Sequence, residues 1–204
     1  MKVKICGITD IETALFAAEQ GADAIGFVFA ESKRRISVKK AKEIIKKIPT
    51  NVLKVGVFVN ESRETVQEIV NETGLTAVQF HGDEPPHYCN SFSVKVIKAF
   101  SIANTADLTL IHDYDCEYVL LDSPKGNNRG GTGNKFDWEL LNGFKSGKKK
   151  VILAGGLHPE NVAEAIEMTS PFMVDVSTGV ETEGKKDLIK IQMFIERAKS
   201  REEV

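Results

Sequence analysis

Residues 2–8 read KVKICGI, and a cysteine stands where an apolar strand ends, directly before a glycine. A thiol there is either a small buried hydrophobe or, as its thiolate, a base. A second reactive candidate, Asp122, closes the run YVLLD (118–122) and can cap the next turn or act as a general acid. Glycines mark two more places: Gly155-Gly156 in AGGLHPENV (154–162), and Gly179 in STGVE (177–181), beside Ser177 and Thr178. Backbone N–H groups in such turns wrap anions, phosphate above all. Arg34 or Arg35, in FAESKRRIS (29–37), can hold a carboxylate in a bidentate fork, and spacing alone does not choose between them. Gln79 and His81, in AVQFH (77–81), offer polar groups to a substrate. His81 has no second histidine or acidic partner at ligand spacing, so no metal site is expected.

These residues are scattered over the chain, and only a repeating scaffold brings them together. Short apolar strands are expected at 2–8, 24–29, 53–59, 77–81, 94–100, 118–122, 150–154 and 172–177. Helices are expected near 11–20, 38–48, 62–73, 85–91, 104–112, 137–143, 159–168 and 186–200, with Pro159 as the first residue of the seventh. Eight strand–helix units is the count of a (β/α)8 TIM barrel, read here as one α/β domain over 1–204. An open doubly wound sheet would carry a glycine-rich first turn, whereas CGITD has a single glycine. In a barrel, alternate residues face inward and the chemistry lies at the C-terminal strand ends. Parity then turns Lys4, Cys6, Gln79, His81, Asp122, Asp175 and Ser177 inward. Asp175 is expected to pair with Lys4 and support the site, with a contact to substrate left open. The glycine-rich stretch 123–135, SPKGNNRGGTGNK, reads as a mobile cover over the site.

Composition narrows the partners. Of 204 residues, 42% are hydrophobic and 27% charged, and the net charge is −2, so a nucleic-acid partner is not expected. Three scattered cysteines without CxxC spacing suggest neither disulfides nor zinc and fit a cytoplasmic protein. No apolar run approaches the ~20 residues of a membrane span. The expected partner is a small phosphorylated molecule, with the chain a monomer or homodimer.

Taken together, KICGIT (4–9), GADAIGFVFAESKRRIS (21–37), VGVFVNE (55–61), VQFHGDE (78–84), LLDSPKGNNRGGTG (120–133), FDW (136–138), LAGGLHPENV (153–162) and VDVSTGVE (174–181) resemble the phosphoribosylanthranilate isomerase family. The resemblance runs from the first strand to the last. It implies a TIM barrel that needs no cofactor. The implied reaction is an Amadori rearrangement of N-(5-phosphoribosyl)anthranilate to 1-(2-carboxyphenylamino)-1-deoxyribulose 5-phosphate, a step of tryptophan biosynthesis. It also implies Cys6 as general base, Asp122 as general acid and Arg34 as the arginine that binds anthranilate. Phosphate would fall on Gly155, Gly156, Ser177, Thr178 and Gly179. The loop after the second strand departs from the family pattern, being shorter and carrying Arg35 where an aromatic is usual. Lys4, two residues from Cys6, is expected to favour the thiolate, and Gly7 to leave room for substrate. A histidine-pathway isomerase would instead end its first strand in aspartate. A ribulose-phosphate epimerase would need a metal-binding histidine pair, and a non-catalytic phosphate-binding barrel would need neither Cys6 nor Asp122.

Overall fold

Along each strand one set of side chains is apolar and buried toward the helices, while the alternate set lines a closed interior. The computed structural model describes residues 1–124 and 137–200. Its principal strands are β1 (Lys2–Cys6), β2 (Ala24–Val28), β3 (Leu53–Phe58), β4 (Ala77–Phe80), β5 (Lys95–Ser101), β6 (Tyr118–Asp122), β7 (Lys150–Leu153) and β8 (Met173–Val176). All eight run parallel, and β8 pairs back onto β1, so the sheet is a closed barrel. The interior is filled by Ala24, Val55, Ala77, Ile97, Leu120 and Ile152. The outer layer, under the helices, takes the alternate residues such as Ile5, Phe27, Phe80, Leu121 and Val174. The inward and outward assignments read from parity hold in β1, β4, β6 and β8.

The helices lay an apolar stripe on the barrel, and four of them open on a side-chain cap. These are α1 (Ile11–Glu19), α2 (Val38–Ile45), α3 (Arg63–Thr73), α5 (Val162–Thr169) and α6 (Leu188–Lys199), with α4 (Pro86–Cys89) a single turn. Asp10, Ser37, Ser62 and Asp187 each accept a hydrogen bond from a backbone N–H of the first turn. Two expected helices are 3-10 turns instead, Asp107–Asp113 and Trp138–Leu141. In the first, the buried residues are Leu108 and Ile111, three apart, a spacing that a three-residue turn places on one side. The expectation that Pro159 opens a helix is also corrected, because α5 begins at Val162. Asn161 pins the preceding turn: its amide donates to Gly156 O at 3.0 Å and its Oδ1 accepts from His158 N at 2.8 Å.

Cys89 and Cys116 are buried, as small hydrophobes are. Phe92 packs on Phe80 and Tyr88, with ring centroids 5.1 and 5.4 Å away. Among the described residues, no helix is long and apolar enough to cross a membrane.

Candidate active site

Cys6 ends β1 and Asp122 ends β6, both on the inner face at the C-terminal mouth. Strand order places β7 and β8 between them, so the two glycine loops lie between the thiol and the carboxyl. Register sets Lys4 opposite Asp175 in neighbouring strands, and Lys4 Nζ reaches Asp175 Oδ1 at 2.9 Å. Both side chains are buried, at 0% and 9% exposure. The expected interior ion pair is therefore present, one layer beneath Cys6.

Burial pushes the Cys6 thiol above its ordinary range, and Asp175 adds to that, while Lys4 and then Lys186 pull it down without cancelling the shift. The expectation that Lys4 favours the thiolate is right in direction, but desolvation outweighs it. Burial also pulls Lys4 down, but the neighbouring Asp175 carboxylate and Cys6 more than offset this and leave it raised.

Asp122 Oδ1 accepts from Ser123 N at 2.8 Å, and Oδ2 lies 3.4 Å from His81 Nε2. On the far side of the ring, His81 Nδ1 lies 3.4 Å from the Gln79 amide nitrogen. Gln79 is buried, and its Oε1 has no partner among the described residues. Gln79 and His81 thus form a chain leading to Asp122 as well as a lining for the mouth.

Gly155 and Gly156 sit at φ +80° and +66°, a region other residues enter at a cost. A Cβ at Gly155 would collide with Ser123 N and lie 3.0 Å from Asp122 Oδ1, so this glycine lets the β7 loop close against Asp122. Ser177 Oγ donates to Cys6 O at 3.2 Å, tying the β8 loop to β1. After it, Thr178–Val180 form one 3-10 turn, and a Cβ at Gly179 would collide with Leu157 O of the β7 loop. The proposed phosphate residues are therefore brought to one edge of the mouth.

Of the two arginines, Arg34 faces the site. Its Cδ would lie 2.5 Å from a Cβ on Gly7, so the arginine arm fills the space that the absent side chain leaves. This corrects the reading of Gly7 as room for substrate. Arg34 Nε and Nη2 grip Glu181 Oε1 and Oε2 at 2.6 and 2.7 Å, a fork the sequence did not announce. Arg35 instead bridges to Val28 and lines a cavity of about 410 Å3 with Phe29, Phe58 and Ile69, residues of the outer layer. Among the described residues, no group of three His, Cys, Asp or Glu side chains is arranged to hold a metal. The expected cover, 123–135, lies almost wholly outside the described residues.

A family described as N-(5'phosphoribosyl)anthranilate (PRA) isomerase matches residues 3–197. The chain belongs to this family. It is 56% identical over 200 residues to an N-(5'-phosphoribosyl)anthranilate isomerase of Bacillus cereus (strain B4264), covering 98% of each chain. The phosphoribosyl anthranilate isomerase structure from Thermotoga maritima superposes with a TM-score of 0.91 at 43% identity, covering 98% of this chain and 99% of that one. A further phosphoribosyl anthranilate isomerase structure, in complex with reduced 1-(o-carboxyphenylamino)-1-deoxyribulose 5-phosphate, matches at TM-score 0.88 and 44% identity, with the same coverage.

Two ionic supports of this isomerase site escaped the sequence reading. Lys186 is the first: its Nζ donates to Ser177 O at 2.8 Å, Ser177 Oγ at 3.3 Å and Glu181 Oε1 at 2.7 Å. Glu181 and Lys186 face each other across a two-stranded hairpin, β9 (Glu181–Thr182) and β10 (Lys185–Lys186). Its loop is Glu183-Gly184, both with positive φ, so the ETEGKK run was the legible signal. The second is Glu84, which accepts from Asn60 N at 2.7 Å and Gly82 N at 3.0 Å and pairs with the buried Lys98 at 2.9 Å. This pair holds the loop that follows His81.

Proposed function

We propose that Asp122 and Cys6 are the acid and base by which this isomerase converts N-(5'-phosphoribosyl)anthranilate into 1-(2-carboxyphenylamino)-1-deoxyribulose 5-phosphate in tryptophan biosynthesis. One observation carries the reading: the two groups stand at inward strand ends on either side of the β7 and β8 glycine loops. Phosphate held on Gly155, Gly156, Ser177, Thr178 and Gly179 would lay the ribose between them.

Asp122 delivers a proton to the ring oxygen as the C1′–O bond breaks, and the anilino nitrogen supplies the electron pair that forms the Schiff base. The cationic imine acidifies the C2′–H. The Cys6 thiolate removes that proton, and the C2′–H electron pair neutralises the imine to give an enolamine. Tautomerisation of the enolamine yields the ketone. A thiol raised by burial is ionised in a small fraction at neutral pH, yet each thiolate is correspondingly more basic. Lys4 and Lys186 keep that fraction from falling further.

Arg34 holds the anthranilate carboxylate. Gln79 and His81 orient Asp122, and Asp175 acts through Lys4. The protein takes a small phosphorylated substrate and works in the cytoplasm. The test uses substrate generated in situ and followed by the decay of its fluorescence. Asp122→Asn and Cys6→Ser are each expected to lose at least about a hundredfold in kcat while binding the reduced product analogue nearly as well as the parent. Near-full activity in Cys6→Ser would remove the base assignment.

A further inference from the structure

We infer that Glu181 is a positioning residue for Arg34: it occupies one edge of the guanidinium and thereby aims the other edge at the carboxylate of the substrate's aryl ring. This rests on the reading of Arg34 as the carboxylate-binding residue. A guanidinium offers two edges to a bidentate acceptor, one from Nε and Nη2 and one from Nη1 and Nη2. Glu181 takes the first, at 2.6 and 2.7 Å. No described residue accepts from Nη1, so the second edge is the one open to a ligand.

The burial of the partners agrees with that division of labour. The Glu181 and Lys186 side chains are 6% and 5% exposed, whereas Arg34 is 22% exposed. The carboxylate lies on the protein side of Arg34, away from solvent. It cannot readily turn aside, because Oε1 is shared with Lys186, whose other donors go to Ser177. Lys190 Nζ also holds the Glu181 carbonyl at 2.9 Å. Arg34's own arm is fixed by its passage over Gly7. Ser177 in turn bonds Cys6 O, so the chain Arg34–Glu181–Lys186–Ser177 returns to β1 next to the thiol. Two cations share one carboxylate, so the trio keeps one positive charge for an incoming anion.

A rival role for Glu181 is that of a competitor which the substrate carboxylate must displace. The two roles differ in sign. Removing a competitor, and with it a negative charge, strengthens binding of an anionic ligand; removing a positioning residue weakens it despite the gain in positive charge.

The probes are reduced 1-(o-carboxyphenylamino)-1-deoxyribulose 5-phosphate and the same compound without its carboxyl, with dissociation constants measured for both. Wild type is expected to prefer the carboxylated compound, and Arg34→Ala to abolish the preference. In Glu181→Ala the preference is expected to fall at least about tenfold, while the carboxyl-free compound binds within about threefold of wild type. Glu181→Gln, which keeps shape and one acceptor, is expected to fall between, and serves if the alanine variant does not fold. Adding Glu181→Ala to Arg34→Ala is expected to change the preference no further. If Arg34→Ala keeps the preference, the carboxylate reading of Arg34 fails. If Arg34→Ala loses it and both Glu181 variants keep or increase it, only the positioning role is overturned.

Discussion

Replacing Lys4 with methionine isolates what the buried ion pair does. The Lys4 side chain is fully buried, Asp175 is 9% exposed, and their charged atoms are 2.9 Å apart. The substitution fills similar volume but strands a carboxylate inside the barrel. Breaking a buried pair from one side costs about 3–5 kcal/mol. At about 2–4 °C per kcal/mol for a chain of this size, the thermal midpoint is expected to drop by roughly 10 °C. Exchanging both partners, Lys4→Met with Asp175→Leu, leaves no stranded charge and should return stability to within about 1 kcal/mol of wild type. Urea unfolding followed by circular dichroism measures both. The single variant also removes the first of the cations that lower the Cys6 thiol and leaves Asp175, which raises it. Alkylation of native protein by iodoacetamide at pH 8, read on the Cys6 peptide by mass spectrometry, is therefore expected to slow in Lys4→Met. A Lys4→Met variant as stable as wild type, or one whose Cys6 reacts at an unchanged rate, would refute this role of the ion pair.

Two further outcomes are expected. Burial would raise Glu181, but Arg34 and Lys186 hold it down at about 2, against an ordinary 4.5. A depressed carboxyl stabilises fully above its ordinary value and loses that contribution as pH falls through about 2, up to about 3 kcal/mol before screening at the Arg34 end. The stability gap between wild type and Glu181→Gln should therefore narrow from pH 6 to pH 2.5, and a constant gap in urea titrations would contradict the linkage. Gly155→Ala places a methyl against Ser123 N and Asp122 Oδ1, whereas Gly147→Ala, at φ +65°, meets nothing within 4 Å. Both should lose about 1–2 kcal/mol from the left-handed backbone, but only Gly155→Ala should also lose kcat, by tenfold or more. Equal kcat in the two variants would show that contact with Asp122 is immaterial.

The barrel and its inward residues were legible because strand alternation has a period of two and repeats eight times. Once Val3 and Ile5 are assigned outward, Lys4 and Cys6 have nowhere to point but inward, and the same holds for Asp122 and Asp175. The two segments that form 3-10 turns were not legible in detail. Leu108 and Ile111 permit either an α or a 3-10 turn, and packing on the barrel chooses between them. Loop residues lie beyond the reach of periodicity altogether. The order of residues did not say that Arg34 rather than Arg35 crosses Gly7, or that its fork closes on a residue 147 positions away. Nor did it say whether Lys4 or desolvation governs Cys6, because that balance depends on how completely water is excluded around the thiol. Sequence alone determined which strand side chains face the mouth, since that follows from local covalent geometry repeated along each strand. Only the tertiary structure decided which charges meet there and at what cost in hydration, since those depend on distances between segments that the chain brings together only by closing the ring.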